Sequence, residues 1–203
     1  MDLTPITLEL PAPQGVARLV PMREDHAPAL LAASDDGLWA YMTSPPPKNE
    51  AEMLKWMRVA LDGHAKGTDL PWVIQHIPTG RIIGTTRYLD ILHQHRAVEI
   101  GFTWITADFR RSAVNTQCKF LLMRHAFETL GCVRVQLKTD GRNVRSQNAI
   151  ARIGAVREGT HRRHRVLWDG FIRDTVYFSV TDLEWPTVKQ NLIRMMDTAV
   201  QKT

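Results

Sequence analysis

The feature that most constrains the fold is an alternation of strand and helix patterns in the second half of the chain. The apolar run Ala97–Ile105 predicts a buried strand, and a helical stripe follows over about Asn115–Leu130. Val133–Thr139 alternates as another strand, and Asn143 can cap a further helix that Gly154 ends. With a strand pattern after that helix, the order predicts an α/β or α+β domain, in which helices cover a mixed, mostly antiparallel sheet.

Shorter patterns on either side of this unit extend the predicted sheet. Gly37–Pro47 predicts no regular structure, because its three consecutive prolines forbid both a helix interior and a strand ladder. We find no repeat and no low-complexity linker, so residues 1–203 are interpreted as one domain, with a core over about 16–180 and a final helix over about 183–200. The other predicted strands and helices are Ile6–Leu10 and Ala17–Val20 as a hairpin, Glu24–Ala33, Asn49–His64, Trp72–Ile77, Arg81–Ile91, Ala155–Leu167, Ile172–Thr181 and Trp185–Val200.

The cysteines and the apolar segments bear on the location of the protein. Cys118 and Cys132 lie inside apolar patterns with no CxxC spacing, which is typical of free, buried thiols. No apolar stretch reaches the length of about 18 residues that a membrane helix needs. The first residues lack the basic and apolar regions of a signal peptide. These observations favour the cytoplasm and predict no membrane partner.

The positive charge is concentrated in a few places. The formal net charge is +5, and the basic residues cluster at Arg110–Arg111, Arg142–Arg145 and Arg157–Arg165. Localised basic loops suit a small polyanionic ligand at least as well as a nucleic-acid duplex. For the last cluster, an ordinary solvated surface is an equal alternative.

The loop between the strand Ala97–Ile105 and the next helix is a candidate phosphate site. A helix N-terminus presents unpaired N–H groups and about half a positive charge. Arg110 and Arg111 add two cations just before the helix, which suits two adjoining phosphates. The loop lacks the glycines that usually allow close approach. A plain helix start preceded by solvated arginines therefore remains an alternative.

Taken together, these segments resemble a known family. The stretches AVEIGFTWI, FRRSAVNTQCKFLLMRHAFETLG, VRVQLKTD and RNVRSQNAIARIGAVREG are similar to the Gcn5-related N-acetyltransferases (GNAT), in particular to the RimJ/RimL-like branch. The resemblance extends over about 16–180 and is strongest over Val98–Gly159. The family's pyrophosphate motif, Gln/Arg-x-x-Gly-x-Gly/Ala, falls on Arg110–Asn115, with Ala113 and Asn115 at the two small-residue positions.

The resemblance implies a fold and acetyl-CoA as cosubstrate. Ala97–Ile105 and Val133–Thr139 would be central parallel strands that splay apart and admit the pantetheine arm of the cofactor. Asn115 would also cap the helix that follows it. The residues implied in cofactor binding are the backbone of Thr103, Trp104 and Ile105, the loop residues Arg110, Arg111, Ser112, Ala113, Val114, Asn115 and Thr116, and Asn143 at the pantetheine.

Two residues are candidates for catalysis. Glu99 lies between apolar neighbours on its strand, where burial would raise its pKa and suit a general base. Its alternatives are a solvent-facing position or a pair with an arginine. Ser146 lies on the first turn of the helix after Asn143, where the RimL-like branch implies a serine that protonates the departing sulfur. An ordinary first-turn residue is an equal alternative for Ser146.

The histidines give no metal site. His93 and His95 share a predicted turn without a nearby cluster of carboxylates or cysteines, so we interpret them as surface residues. His161 and His164 lie among arginines in the last hairpin and are candidates for the entrance of an acceptor pocket. Trp39, Tyr41 and Trp72 are interpreted as core or as pocket wall.

These features predict an N-acetyltransferase that moves an acetyl group from acetyl-CoA to a primary amine by direct attack in a ternary complex. The acceptor stays open between a protein N-terminus, a polyamine or amino acid, and an amine antibiotic. The basic Arg157–Arg165 would favour an acceptor with carboxylates. The alternatives are an inactive acyl-CoA-binding regulator and, ranked lower, a basic nucleic-acid-binding module. We expect no nucleic-acid partner, and a homodimer, common in the branch, stays open.

Overall fold

A computed structural model describes residues 1–11 and 15–200 of the chain. Within these residues a seven-stranded sheet has the order β1-β2-β3-β4-β5-β7-β6. Neighbouring strands are antiparallel except β4 and β5, which run parallel. The strands are β1 (Ala17–Pro21), β2 (Leu70–His76), β3 (Ile82–Leu92), β4 (Ala97–Ile105), β5 (Arg134–Asp140), β6 (Val156–Val166) and β7 (Ile172–Thr181).

Helices cover both faces of this sheet. On one face, α1 to α3 surround an apolar cluster that includes Trp39 and Met57 and that reaches Val73 of β2. On the other face, α4, α5 and α6 pack on the larger cluster, to which β2 contributes Trp72 and Ile74. The helices are α1 (Ala27–Ala33), α2 (Asp36–Trp39), α3 (Glu50–Ala65), α4 (Val114–Arg124), α5 (Val144–Arg152) and α6 (Trp185–Val200). The alternation of side chains along β2 therefore serves two helical layers at once.

The parallel strands β4 and β5 pair over a short stretch and then separate. They pair only over Ala97–Glu99 of β4 and Arg134–Gln136 of β5. Beyond it, β4 bends at Phe102, whose φ of 49° lies in the left-handed region. The register between β3 and β4 shifts at the same place, as in a β-bulge. The mixed sheet with splayed central parallel strands is therefore confirmed.

Three predicted elements differ from the observed ones. Ile6–Leu10 is not a strand, because only Leu8 bridges to Leu19, while β1 pairs with β2 instead. The turn predicted after Leu10 includes residues 12–14, which lie outside the described residues. The segment Gly37–Pro47 is not wholly irregular, since α2 runs into it from Asp36.

The third difference concerns α4. It begins at Val114, one residue earlier than predicted, and continues after Arg124 as a π-helical turn over His125–Thr129. The predicted cap of α5 is confirmed, because the Asn143 side chain accepts a hydrogen bond from the backbone N–H of Ser146. No helix among the described residues is long and apolar enough to cross a membrane.

Candidate functional site

The candidate site is the cleft that opens where β4 leaves β5. One edge of β4 pairs with β3 up to Trp104 and Ile105. The other edge, from Ile100 onward, has no strand partner among the residues that the structure describes. Backbone N–H and C=O groups must find partners, so this edge is suited to an extended ligand that adds itself to the sheet. Thr103, Trp104 and Ile105, the predicted pantetheine residues, lie on this segment.

The N-terminus of α4 lies next along the chain and presents free amide groups. The first helical hydrogen bond runs from the Gln117 N–H to the Ala113 carbonyl. The N–H groups of Asn115 and Thr116 have no acceptor within the described part of the chain. Ala113, not Asn115, is the N-cap residue, so the predicted capping role of Asn115 is wrong. Without a capping side chain, these amides are available to an anion.

Ser112 supports this turn. Its hydroxyl donates a hydrogen bond to the Phe109 carbonyl at 2.7 Å and accepts one from the Val114 N–H at 3.3 Å. The Ser112 side chain is thereby used within the turn. The contribution of Ser112 and Val114 to an anion site would therefore come from the position of the backbone.

The two loop arginines have different surroundings. Arg110 donates from Nη2 to Asp35 Oδ2 at 2.7 Å and from Nε to the Ile105 carbonyl at 3.3 Å. Any phosphate must therefore compete with Asp35 for Arg110. Arg111 is exposed and has a left-handed backbone with φ of 64°. Of the two cations, Arg111 is the one left without an ion pair to a described residue.

Helix α5 brings a further cation to the start of α4. Arg152 Nη2 donates to Thr116 Oγ1 at 3.2 Å. In the sequence, Arg152 is a helix residue 36 positions away from Thr116, with no local pattern that marks it. Only the tertiary fold, which brings the end of α5 to the start of α4, could place this charge near the free amides.

A second residue that no sequence pattern marked is Lys119, a buried lysine under β4. Lys119 lies within the buried face of α4, and its Nζ donates to Thr103 Oγ1 at 3.0 Å. Thr103 Oγ1 in turn lies 2.7 Å from Thr86 Oγ1 on β3. Burial lowers the pKa of Lys119 to about 8. This chain of polar groups fixes the side chain of Thr103 on the segment of β4 that borders the cleft.

Glu99 lies at the other end of the cleft, where β4 and β5 still pair. Its side chain is 2 % exposed, so the solvent-facing alternative is wrong. Oε2 accepts a hydrogen bond from Gln136 Nε2 at 2.9 Å and pairs with Lys138 Nζ at 2.8 Å. Burial raises the pKa of Glu99, and Lys138 opposes part of that rise. The partner is a lysine rather than the arginine that we considered.

Ser146 and Asn143 lie at the start of α5, beyond the end of β5. The Asn143 Oδ1 atom is committed to the cap, at 3.0 Å from the Ser146 nitrogen. The Ser146 hydroxyl is partly exposed and makes no hydrogen bond with any described residue. This hydroxyl is therefore free to contact a ligand.

The histidines of the last hairpin form a small aromatic group with Tyr177. The ring centroids of His161 and Tyr177 are 4.3 Å apart, and His164 packs edge-on at 5.8 Å. Burial, together with the nearby cation of Arg165, lowers the pKa of His164. The lowered pKa favours the neutral form of His164. Whether this group borders an acceptor stays a prediction.

The remaining candidates have simple surroundings. His93 and His95 are exposed in a turn, in line with the interpretation as surface residues. Trp39 and Trp72 are core residues, with 1 % and 0 % exposure. Among the described residues no group of His, Cys, Asp or Glu is arranged to hold a metal ion.

The arrangement can perform three tasks. Free amides at α4 can hold a polyanion, and the open edge of β4 can bind an extended polar arm. Glu99, with its raised pKa, can accept a proton at the far end of the cleft. In chain order, these groups run from Glu99 at the β4–β5 junction, through the open edge of β4, to the N-terminus of α4.

Comparisons with known proteins point to one family. The family model described as "Acetyltransferase (GNAT) domain" matches residues 17–156. YdaF of Bacillus subtilis (strain 168), a candidate ribosomal N-acetyltransferase, is 30% identical over 106 residues, which are 52% of this chain and 57% of that protein. The chain thus matches little more than half the length of this curated relative.

Solved structures match over nearly the whole chain. A candidate acetyltransferase from T. thermophilus is 34% identical with a TM-score of 0.85, covering 96% of this chain and 99% of that one. Mycobacterium smegmatis RimJ, crystallised with CoA-disulfide, has a TM-score of 0.78 at 21% identity, covering 95% of this chain and 96% of that one. At that identity the second match concerns the fold alone.

Proposed function

The chain belongs to the GNAT acetyltransferase family, and we propose that it transfers the acetyl group of acetyl-CoA to a primary amine by direct attack in a ternary complex. One observation carries the proposal: the cleft between β4 and β5 has free amides at one end and the buried carboxylate of Glu99 at the other. We treat residues 1–203 as one domain that performs this reaction. Buried, free Cys118 and Cys132 fit a cytoplasmic location.

The cofactor would lie along the cleft. The N–H groups of Asn115 and Thr116 would bind the pyrophosphate, helped by the charges of Arg111 and Arg152. The backbone of Thr103–Ile105 would pair with the pantetheine amides, with Asn143 on the opposite side of the cleft. The CoA-disulfide bound to the RimJ of similar fold supports CoA as the ligand.

Proton transfer would be divided between two residues. Acetyl-CoA supplies the acetyl group, as the amine nitrogen bonds to the carbonyl carbon while the carbon–sulfur bond breaks. The carboxylate of Glu99 would take the proton of the amine, directly or through one water, and its raised pKa makes it a better base near pH 7. The free hydroxyl of Ser146 would give a proton to the thiolate and regain one from water.

The acceptor is a primary amine, for which a protein N-terminus is one candidate. YdaF, the Bacillus subtilis relative, is a candidate ribosomal N-acetyltransferase, which supports a ribosomal-protein N-terminus here. A small amine is the other candidate. Neither choice changes the roles of the cofactor residues.

An inactive acyl-CoA-binding regulator is the second candidate function. The ion pair between Glu99 and Lys138 favours it, because a carboxylate held at 2.8 Å by an ammonium has a purely structural use as well. The two candidates differ in turnover. Both require that CoA binds.

Two assays test the proposal. CoA should raise the melting temperature, since a ligand at about 100 times its Kd adds about 2.7 kcal/mol to the free energy of unfolding. Release of free thiol from acetyl-CoA should then depend on an amine from a panel of peptides, polyamines and amino acids. Stabilisation by CoA without any thiol release would favour the regulator, and no stabilisation would contradict both candidates.

A pair of variants tests the role of Glu99. Glu99→Gln should lower kcat by about 100-fold or more while the stabilisation by CoA is kept. Asp90→Asn is the matched control, because Asp90 is the other carboxylate on Lys138, at 3.2 Å, and it is exposed. Equal kcat in wild type and Glu99→Gln would show that Glu99 is not the base.

A further inference from the structure

Arg173 on β7 is a buried cation without a carboxylate of its own. Its side chain is 7 % exposed, Nε donates to Thr175 Oγ1 at 3.1 Å, and Nη1 donates to the Tyr41 carbonyl at 3.4 Å. No described carboxylate lies within salt-bridge distance of its guanidinium. Asp140 is nearby, but Arg142 engages both of its oxygens, at 3.0 and 2.8 Å.

The surroundings of Arg173 do not neutralise it. The Thr175 hydroxyl receives the Nε–H of Arg173, so its own hydrogen is free to point at His164 Nδ1, 3.0 Å away. His164 carries no negative charge, and Arg165 lies opposite Arg173 in the β6–β7 register. A buried guanidinium keeps its proton and is stabilised by an anion that pairs with it. Asp140 opposes the positive charge of Arg173 from a distance, but no described carboxylate forms an ion pair with it.

Arg173 lies on the same face of the sheet as the candidate base. In the strand register, Glu99 is opposite Gln136, Gln136 opposite Ser179, and side chains alternate along β7 from Ser179 to Arg173. Burial lowers the pKa of Arg173, and the negative charges of Asp140 and, to a smaller extent, Glu99 oppose that shift.

This face of β5 to β7 lies outside the apolar cluster of α1 to α3. Among the described residues, that cluster includes none from β5, β6 or β7. Tyr41, in the loop after α2, reaches over from that side and touches Arg173 through its carbonyl. Arg173 thus lies where the loop after α2 and the last hairpin meet, at the margin of a polar face that begins at Glu99.

We propose that Arg173 binds an anionic group of the acceptor, and that the acceptor is an amine that carries a carboxylate. This inference rests on the proposed acetyl transfer in one respect only, namely that the anionic ligand of Arg173 is the acceptor of the acetyl group. The N–H groups of Arg173 not used by Thr175 and Tyr41 have no acceptor in the described part of the chain. A guanidinium fork binds the two oxygens of a carboxylate side by side.

Matched acceptors that differ only in charge test the proposal. We suggest the pair glutamate α-amide and glutamine α-amide, in which only the first member carries a carboxylate, and the pair Ser-Asp-Gly-amide and Ser-Asn-Gly-amide. In the pair that the enzyme uses with the higher kcat/KM, the member with the carboxylate should have a kcat/KM about 10- to 100-fold above that of its partner. This range corresponds to the free energy of a hydrogen bond to a charged group. Phosphoserine amide and serine amide, which lack a carboxylate, are compared in the same way to test a phosphate. A preference for phosphoserine amide without any preference for a carboxylate would overturn the assignment to a carboxylate.

Variants of Arg173 separate recognition from folding. Arg173→Met should reduce the preference to about 2-fold or less, while the KM for acetyl-CoA and the stabilisation by CoA stay unchanged. Arg173→Lys keeps the charge without the fork and should give an intermediate preference. Arg194→Met, at an exposed position of α6, removes the same charge outside the last hairpin and should keep the preference.

The outcomes distinguish this proposal from the proposed function. If wild type uses both members of each pair equally, or if Arg173→Met slows both equally, the anion site is contradicted although acetyl transfer stands. If no amine is acetylated, calorimetric titration of the CoA-loaded protein with glutamate replaces the rate assay. Glutamate binding that Arg173→Met abolishes would then support the anion site without the enzyme. No binding, or equal binding by the variant, would overturn it.

Discussion

Lys119 and Glu99 are both buried ionisable residues beside the cleft, but only one of them has an opposite charge nearby. Glu99 has Lys138 at 2.8 Å, whereas Lys119 contacts the neutral hydroxyl of Thr103. Burial lowers the pKa of Lys119 to about 8, which means that the fold disfavours its charged form. Lys119 therefore has a cost to stability that can be measured.

Replacement of Lys119 should stabilise the protein at neutral pH. Since the folded pKa of about 8 lies below the unfolded value, the unfolded chain binds more protons between these values, and the free energy of unfolding rises with pH through that window. Below pH 8 the full cost applies, about 3 kcal/mol before the loss of the Thr103 hydrogen bond. Lys119→Met should thus gain about 1–3 kcal/mol at pH 7 in urea unfolding.

The pH dependence provides the control. The gain of Lys119→Met should shrink as the pH rises from 8 toward 10. Lys55→Met, an exposed lysine in the middle of α3, should change stability little at any pH. A Lys119→Met protein that is less stable than wild type at pH 7 would show that the ammonium has a favourable partner.

At the residue scale, the sequence predicted which side chains are buried better than it predicted which residues they contact. Glu99 stands between apolar residues of a strand, and that local pattern was enough to predict its burial. Its partner Lys138 is 39 positions away, and no local pattern joins the two. Arg110 looked free in the sequence, but Asp35, which precedes α2, engages it. Contacts between distant segments depend on the packing of elements.

At the element scale, the bend of β4 depends on a close approach to β3. Gly84 pairs with Ile105, and a Cβ atom at Gly84 would collide with the backbone carbonyl of Trp104. Backbone atoms cannot move aside as a flexible side chain can. Glycine at this position therefore allows β4 to keep its path along the cleft.

Gly84→Ala should push β4 away from β3 near the proposed pantetheine segment. We expect a loss of about 1–3 kcal/mol in stability and a weaker stabilisation by CoA than in wild type. Gly159→Ala, in the edge strand β6, is the matched control, because nothing lies within 4 Å of the added atom. Similar melting temperatures and CoA shifts for Gly84→Ala and wild type would contradict this role of Gly84.

Strong local sequence patterns predicted most helices and strands correctly, and weak patterns gave wrong predictions. The strand Ala97–Ile105 and the helix Trp185–Val200 were predicted with their observed bounds, since the first is a continuous apolar run and the second has a clear helical period. Ile6–Leu10 has a strand-like pattern, yet β1 forms its ladder with β2 and leaves one bridge for Leu8. Competition between distant strands decided that pairing, and a local pattern holds no information about it.

At the scale of the whole molecule, the two faces of the sheet are covered unequally. On one face, apolar residues of α1 to α3 cover parts of β1 to β4, and the rest of that face is polar, with Glu99 on β4, Lys138 on β5 and Arg173 on β7. The strand order was not readable in the sequence, although the splay of β4 from β5 followed from the family resemblance. The same order puts the basic strand β6 at the edge, where its exposed charges discourage pairing with another sheet.

A crystal structure of the complex with CoA would show whether the cleft between β4 and β5 holds the cofactor. We expect the pyrophosphate at the N–H groups of Asn115 and Thr116, with Arg152 close by. We also expect the pantetheine arm to pair with the backbone of Thr103–Ile105, with its sulfur directed toward Glu99 and Ser146. CoA bound elsewhere, with this edge of β4 left unpaired, would show that the cleft is not the cofactor site.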